Sequence, residues 1–202
     1  FGHTASYDAA IYQYFNSTIL KNNISDQFFY TGNLITKLRY GENPHQNAAF
    51  YSDDMNFDQN NLARSKKIQG KELSFNNIAD SSAAFECVNQ FESPACVIVK
   101  HANPCGVAIN ENIKEAYSRA FSTDPTSAFG GIIAFNRTLD GDTAELIINN
   151  QFVEVIIAPK ISLDAISILK HKKEVRVLET GPQNQKNYIE YDLKKVSGGL
   201  LI

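Results

Sequence analysis

No window of this sequence approaches the roughly 18 apolar residues of a membrane-crossing helix, so no partnership with a membrane is expected. Positive charge is not in excess either. The formal net charge is −3 and the sequence pI about 5.8, which argues against an electrostatic binder of nucleic acid or anionic lipid. No CxxC pair is present. The three cysteines, Cys87, Cys96 and Cys105, are odd in number and read as reduced cytosolic thiols, not as a disulfide frame or a zinc cluster. The GxGxxG turn, the GxxxxGK[ST] phosphate loop and the GxSxG elbow are all missing, which removes the dinucleotide, P-loop and hydrolase-elbow readings. Pro104-Cys105 opens a PCxxC half-signature of zinc deaminases, but Ala108 stands at the second cysteine and no His-x-Glu precedes it, so no metal is expected. Residues 1–4 show neither a charged n-region nor an apolar h-region. Repeats and low-complexity tracts are absent. The chain lacks an initiator Met, starts within a helical pattern and ends on an incipient strand, so it is expected to be a piece of a longer polypeptide.

What is there centres on residues 97–106, Val-Ile-Val-Lys-His-Ala-Asn-Pro-Cys-Gly. Cys96–Val99 reads as a buried strand, and it runs into Lys100 and His101 before Asn-Pro and Gly106, which are expected to turn the chain. A Lys-His pair beyond a strand end suits an acid, a base or an anion-stabilising cation. A chance charged pair capping the strand is the competing reading. Along the chain the patterns predict a helix over 4–15, a linker over 16–37, a polar loop over 38–46 and a short strand over 48–51. Helices at 78–91, 112–122, 142–151 and 163–171 then alternate with strands at 95–99, 131–135, 153–158 and 174–178, with a last strand from 196. With 43% hydrophobic residues and near-continuous apolar strands, the expected fold is α/β: three layers, a mostly parallel sheet and helices on both faces.

Three further groups carry chemistry. Arg39-Tyr40-Gly41 with Asn43-Pro44-His45 offers a guanidinium fork suited to a phosphate, though a solvated loop Arg is the commoner outcome. Asp124–Gly131 carries small hydroxyls and ends in Gly130-Gly131. It can present backbone N–H groups to a ligand, or use glycine only for a positive φ. Glu154 lies in an apolar strand, where a carboxylate needs a partner; it serves a ligand or sits on an exposed edge.

Together the blocks LRYGENPHQ (38–46), GKELSFNN (70–77), VIVKHANPCG (97–106), DPTSAFGGIIAFNR (124–137) and VIIAP (155–159) resemble the bifunctional purine-biosynthesis family of AICAR transformylase/IMP cyclohydrolase. HTASYDAAI (3–11) is similar to the end of that family's cyclohydrolase domain. The resemblance implies that residues 1–15 are the last cyclohydrolase helix, 16–37 a linker, and 38–202 the N-terminal half of the transformylase domain, a cytidine-deaminase-like core without zinc. It implies formyl transfer from the co-substrate 10-formyltetrahydrofolate to AICAR, a ribonucleotide monophosphate, by a cytoplasmic homodimer. Lys100 and His101 match the catalytic pair. Arg39, Tyr40, Gly130 and Asn103 match substrate-binding positions, and Glu154 stands where some members have Asp. A non-catalytic nucleotide-binding module and a dimerisation piece are the alternatives. The resemblance also implies that this stretch alone lacks turnover, because the remaining nucleotide and folate contacts would lie beyond Ile202.

Overall fold

The structure is a computed structural model and describes residues 1–22, 24–52, 61–182 and 192–202. Helix α1 (Gly2–Tyr14) passes into a π-helical turn, Phe15–Ile19, and buries only Ala9. Strands β1 (Leu34–Leu38) and β2 (Ala48–Tyr51) form an antiparallel pair. The next elements are β3 (Lys66–Gln69), α2 (Phe75–Val88), β4 (Ala95–Lys100), β5 (Asn103–Ile109), α3 (Ile113–Thr123), α4 (Pro125–Ala128) and β6 (Gly131–Phe135). They are followed by α5 (Gly141–Asn150), β7 (Val153–Ala158), α6 (Leu163–Leu169), β8 (Arg176–Glu179), β9 (Lys194–Val196) and β10 (Gly199–Leu201).

Local chemistry sets the helix starts. Asn112, Asp124, Asp140 and Ser162 each accept a hydrogen bond from the backbone N–H three residues on, which satisfies one of the donors a helix leaves open. Ser74 does the same for α2, and Asn77 answers it by accepting from the Ser74 N–H. That reciprocal cap starts α2 at Phe75, three residues before the apolar periodicity alone begins.

Six strands form the main sheet in the order β3-β8-β7-β6-β4-β5. One core, against α3, α5 and α6, includes Ile98, Tyr117, Ile133, Ile147, Ile156 and Leu169. The other, against α2, includes Val88, Val97, Val99, Ile132, Val155 and Leu178. Helices therefore cover both faces, as expected. The direction of the strands does not match. β6–β7 and β7–β8 are parallel, while β4–β5, β4–β6 and β3–β8 are antiparallel. The sheet is mixed, not mostly parallel. Ala95–Val99 are fully buried, and that apolar continuity reports a strand covered on both faces, whichever way it runs.

Three other expectations change. Strand β1 occupies Leu34–Leu38, from the last residues of the expected linker into the expected polar loop, and its mostly exposed side chains hide its period. The last strand pairs with β9 as a separate hairpin and not with the main sheet. Asn103-Pro104-Cys105-Gly106 does not turn but forms the start of β5, an edge strand where Pro104 is tolerated because an edge need not donate at every residue.

Candidate functional site

The turn between β4 and β5 consists of His101 and Ala102, with Lys100 paired to Asn103 across it. Both turn residues have positive φ, 54° and 57°. Positive φ at both central positions suits the right-handed twist of a two-residue hairpin. For side chains larger than glycine it costs about 1–2 kcal/mol per residue relative to the right-handed region.

Two devices hold the turn. Asp80 on α2 accepts from the Ala102 N–H at 2.8 Å and from the His101 N–H at 3.3 Å. Asn103 Nδ2 donates to the His101 carbonyl at 2.7 Å. Lys100 is held separately, its Nζ donating to the Phe129 carbonyl at 2.5 Å. These bonds fix the turn backbone and the Lys100 ammonium at the tip of a hairpin whose root is buried.

The tip overlooks a cleft of about 410 Å³ lined by Lys100, His101, Asn103, Pro104, Cys105, Thr126 and Ser127. Two of the sequence groups thus meet: the Lys-His pair and the Asp124–Gly131 loop. That volume lies in the range of small-molecule sites. In the loop, Asp124 caps α4 by accepting from the Ser127 N–H at 2.9 Å and from its hydroxyl at 2.5 Å. These bonds to Ser127 hold the Asp124 carboxyl below the usual carboxylate range. Burial pushes the Cys105 thiol up, the Asp124 carboxylate adds to this, and a backbone hydrogen bond and Lys100 oppose it without reversing it, which disfavours the thiolate.

Gly130 has φ +73° and donates its N–H to the Phe152 carbonyl at 2.8 Å; a Cβ there would lie 3.8 Å from Lys100 Nζ. Its backbone conformation alone asks for glycine. Glu154 sits at the start of β7, a central strand, so it is not on an exposed edge. Its Oε2 accepts from Asn77 Nδ2 at 2.8 Å and lies 3.9 Å from Arg176 Nη1. Lys100 ends β4, whereas Gly131, Val153 and Arg176 begin β6, β7 and β8. All these groups therefore gather at one end of the sheet, the amino end of its parallel strands, not at the carboxyl ends that serve open parallel sheets.

Arg39 and Tyr40 stand apart in the contacts. The guanidinium carbon lies 5.8 Å from the Tyr40 ring centre, a cation–π stack. Among the described residues no hydrogen bond or ion pair joins them to the Lys100 group. Asn77, Asp80 and Arg176 are the residues that sequence reasoning missed. Asn77 carried one signal, its place three residues after Ser74. Among the described residues no group of three His, Cys, Asp or Glu side chains is placed to hold a metal. No described helix is long and apolar enough to cross a membrane.

The family model described as AICARFT/IMPCHase bienzyme matches residues 1–202, from the first residue to the last. The chain belongs to that family. Its members are enzymes of purine biosynthesis that combine AICAR transformylase and IMP cyclohydrolase. Among solved structures, two forms of RibD from Acinetobacter baumannii are similar at 18% identity and a TM-score of 0.34. The overlap covers 49% of this chain and 33% of RibD, so the chain spans about a third of that protein's length. The likeness is too partial to define the fold of this AICARFT/IMPCHase chain.

Proposed function

We propose that this chain carries part of the formyl-transfer machinery of an AICAR transformylase, with His101 as base and Lys100 as electrostatic partner. The observation that supports the reading is that Lys100 and His101, on a hairpin tip whose backbone is bonded to Asp80, line the same ligand-sized cleft. In the reaction, the 5-amino nitrogen of AICAR attacks the formyl carbon of 10-formyltetrahydrofolate. The bond from that carbon to the folate nitrogen breaks, and the nitrogen takes up a proton. The attacking amine is a poor nucleophile because its lone pair is delocalised into the ring. An imidazole accepting its proton is suited to neutral pH. The Lys100 ammonium stabilises the oxyanion formed on the way or protonates the departing nitrogen. Asn103 and Gly130 border the same cleft or its cation, and Glu154 lies at the same end of the sheet. These three, with Arg39 and Tyr40 as phosphate ligands, form the proposed nucleotide site. No step requires a metal.

The same reading assigns residues 1–15 to the end of a cyclohydrolase domain, 16–37 to a linker and 38–202 to the first half of the transformylase domain, in a cytoplasmic homodimer. Its test is His101→Ala in the intact protein, with formylated nucleotide measured directly. Loss of about 100-fold or more in kcat with little change in AICAR affinity is expected for a base. An unchanged kcat would remove His101 from the chemistry and favour a nucleotide-binding module without turnover.

A further inference from the structure

We propose that Asp80 is the positioning residue that aims His101, acting through the backbone of the hairpin turn. The inference rests on the catalytic reading of His101 given above, but the clamp itself does not. Successive N–H groups in a turn form a concavity that binds an anion. In this chain the anion is the carboxylate of Asp80. One oxygen takes the Ala102 N–H and the other takes the His101 N–H. Among the described residues no cation forms an ion pair with Asp80, so its carboxylate is committed to these two donors. Asp80 also lies in the middle of α2, where it caps nothing.

The geometry explains why such a clamp is needed. His101 and Ala102 both hold a positive φ that side chains disfavour, and the tip is exposed, so no packing enforces it. φ at His101 fixes the direction of its Cα–Cβ bond and hence where the imidazole starts. Without Asp80 the turn keeps only the Asn103 bond to the His101 carbonyl, its two positive φ values are less firmly held, and the ring is expected to shift from its place at the cleft while β4 and the core stay in place. Asn77, one turn earlier on α2, holds Glu154. One helix face thereby supports both the base and the carboxylate at this end of the sheet.

The experiment compares Asp80→Ala, Asp80→Asn and the double variant Asp80→Ala/Ala102→Gly in the intact protein. Exchange of the His101 and Ala102 amides with solvent is followed by NMR, beside kcat and KM. A misplacement near 1 Å can cost about 100-fold, so Asp80→Ala is expected to lower kcat by about 10- to 100-fold while KM for the nucleotide changes less than about threefold. Asp80→Asn keeps an oxygen acceptor and is expected to fall between. Glycine at 102 accepts positive φ without strain, so the double variant is expected to recover part of the lost kcat, which a merely structural defect would not do. Both amides should exchange at least about tenfold faster in Asp80→Ala at an unchanged melting temperature. Amides as protected as in the parent would overturn the clamp. A kcat within twofold of the parent, in a protein where His101→Ala abolishes turnover, would overturn the positioning role. If His101→Ala itself keeps its kcat, the catalytic reading falls and amide exchange still decides the clamp. Should Asp80→Ala fail to fold, Asp80→Asn carries the same comparison.

Discussion

Replacing Asn136 by Asp changes one NH₂ group into an oxygen and almost nothing in volume, yet it should strongly destabilise the sheet. Asn136 follows β6 and is 4% exposed. Its Oδ1 accepts from the Ala95 N–H at 2.8 Å, while its Nδ2 donates to the Phe91 carbonyl at 2.7 Å and the Ser93 carbonyl at 2.8 Å. These bonds lock the start of β4 against the end of β6, at the opposite end of β4 from Lys100. In Asn136→Asp an ionised carboxylate would face two carbonyl oxygens with a single donor left. Two lost hydrogen bonds remove about 2 kcal/mol, and a buried charge left without compensation raises the expected loss to about 3–5 kcal/mol at pH 7.

The sign of the pH dependence follows. The site disfavours the anion, so the introduced carboxyl has a higher pKa in the folded state than the roughly 3.9 it has unfolded. Its protonated form regains one donor. The variant is therefore least compromised below about pH 4 and loses stability as pH rises through the folded pKa, by at most about 1.4 kcal/mol per unit. Urea unfolding followed by circular dichroism at pH 4.5 and 7.5, with the parent alongside, measures both effects. A deficit under about 1 kcal/mol at pH 7.5, or one that fails to shrink on acidification, would refute the reasoning.

Gly106→Ala would place a methyl carbon 2.1 Å from the Ala120 carbonyl oxygen, so α3 must lift from β5. A loss of about 3 kcal/mol in a thermal or urea titration is expected, since the obstacle is backbone. Arg39→Ala should raise KM for AICAR in the intact protein by about 10-fold or more with kcat nearly kept, as fits the loss of charge-assisted bonds to a phosphate. An unchanged KM returns that loop to solvent. Burial raises the pKa of all three thiols, most of all Cys96. Iodoacetamide at pH 7.5 should therefore modify Cys87 and Cys105 more slowly than free cysteine and spare Cys96 until urea unfolds the chain; mass spectrometry of the peptides reads this.

Much of the α/β alternation was legible because strands covered on both faces and helices with one apolar face leave different periods. Residues 131–135 and 153–158 stand in the structure as strands over the same span. Strand direction was not legible, since burial on both faces says nothing of polarity. The β4–β5 hairpin was missed because its turn, His101-Ala102, lacks the Asn-Gly or Asp-Gly that usually marks two positive φ values. The nearby Asn103-Pro104 looked like punctuation instead. β3, Lys-Lys-Ile-Gln, is a short, mostly polar edge strand and offers no clear alternation. For the site, Lys100 and His101 announce themselves by type and neighbours. Asp80 and Arg176 read as ordinary polar residues of a helix and a strand, and only the fold brings them to the same end of the sheet.

The strand order also sets a timetable. Lys100 and His101 ride on a strictly local pairing, a two-residue hairpin of a kind that closes within about 1–10 μs. The opposite side of the same sheet is stitched by partners such as Gln69 and Val175, 106 residues apart in sequence. At about 5–20 residues per second, a ribosome needs on the order of 5–20 s to cover that distance. Throughout that interval β3 has no β8 beside it, whereas β7, which ends about 21 residues before β8 does, waits roughly 1–4 s with its apolar run Val155–Ala158 presenting an open edge of unpaired N–H and C=O groups. The segment that carries Lys100 and His101 is therefore shaped early, while the risk of misassembly during synthesis falls on the strands that wait for β8.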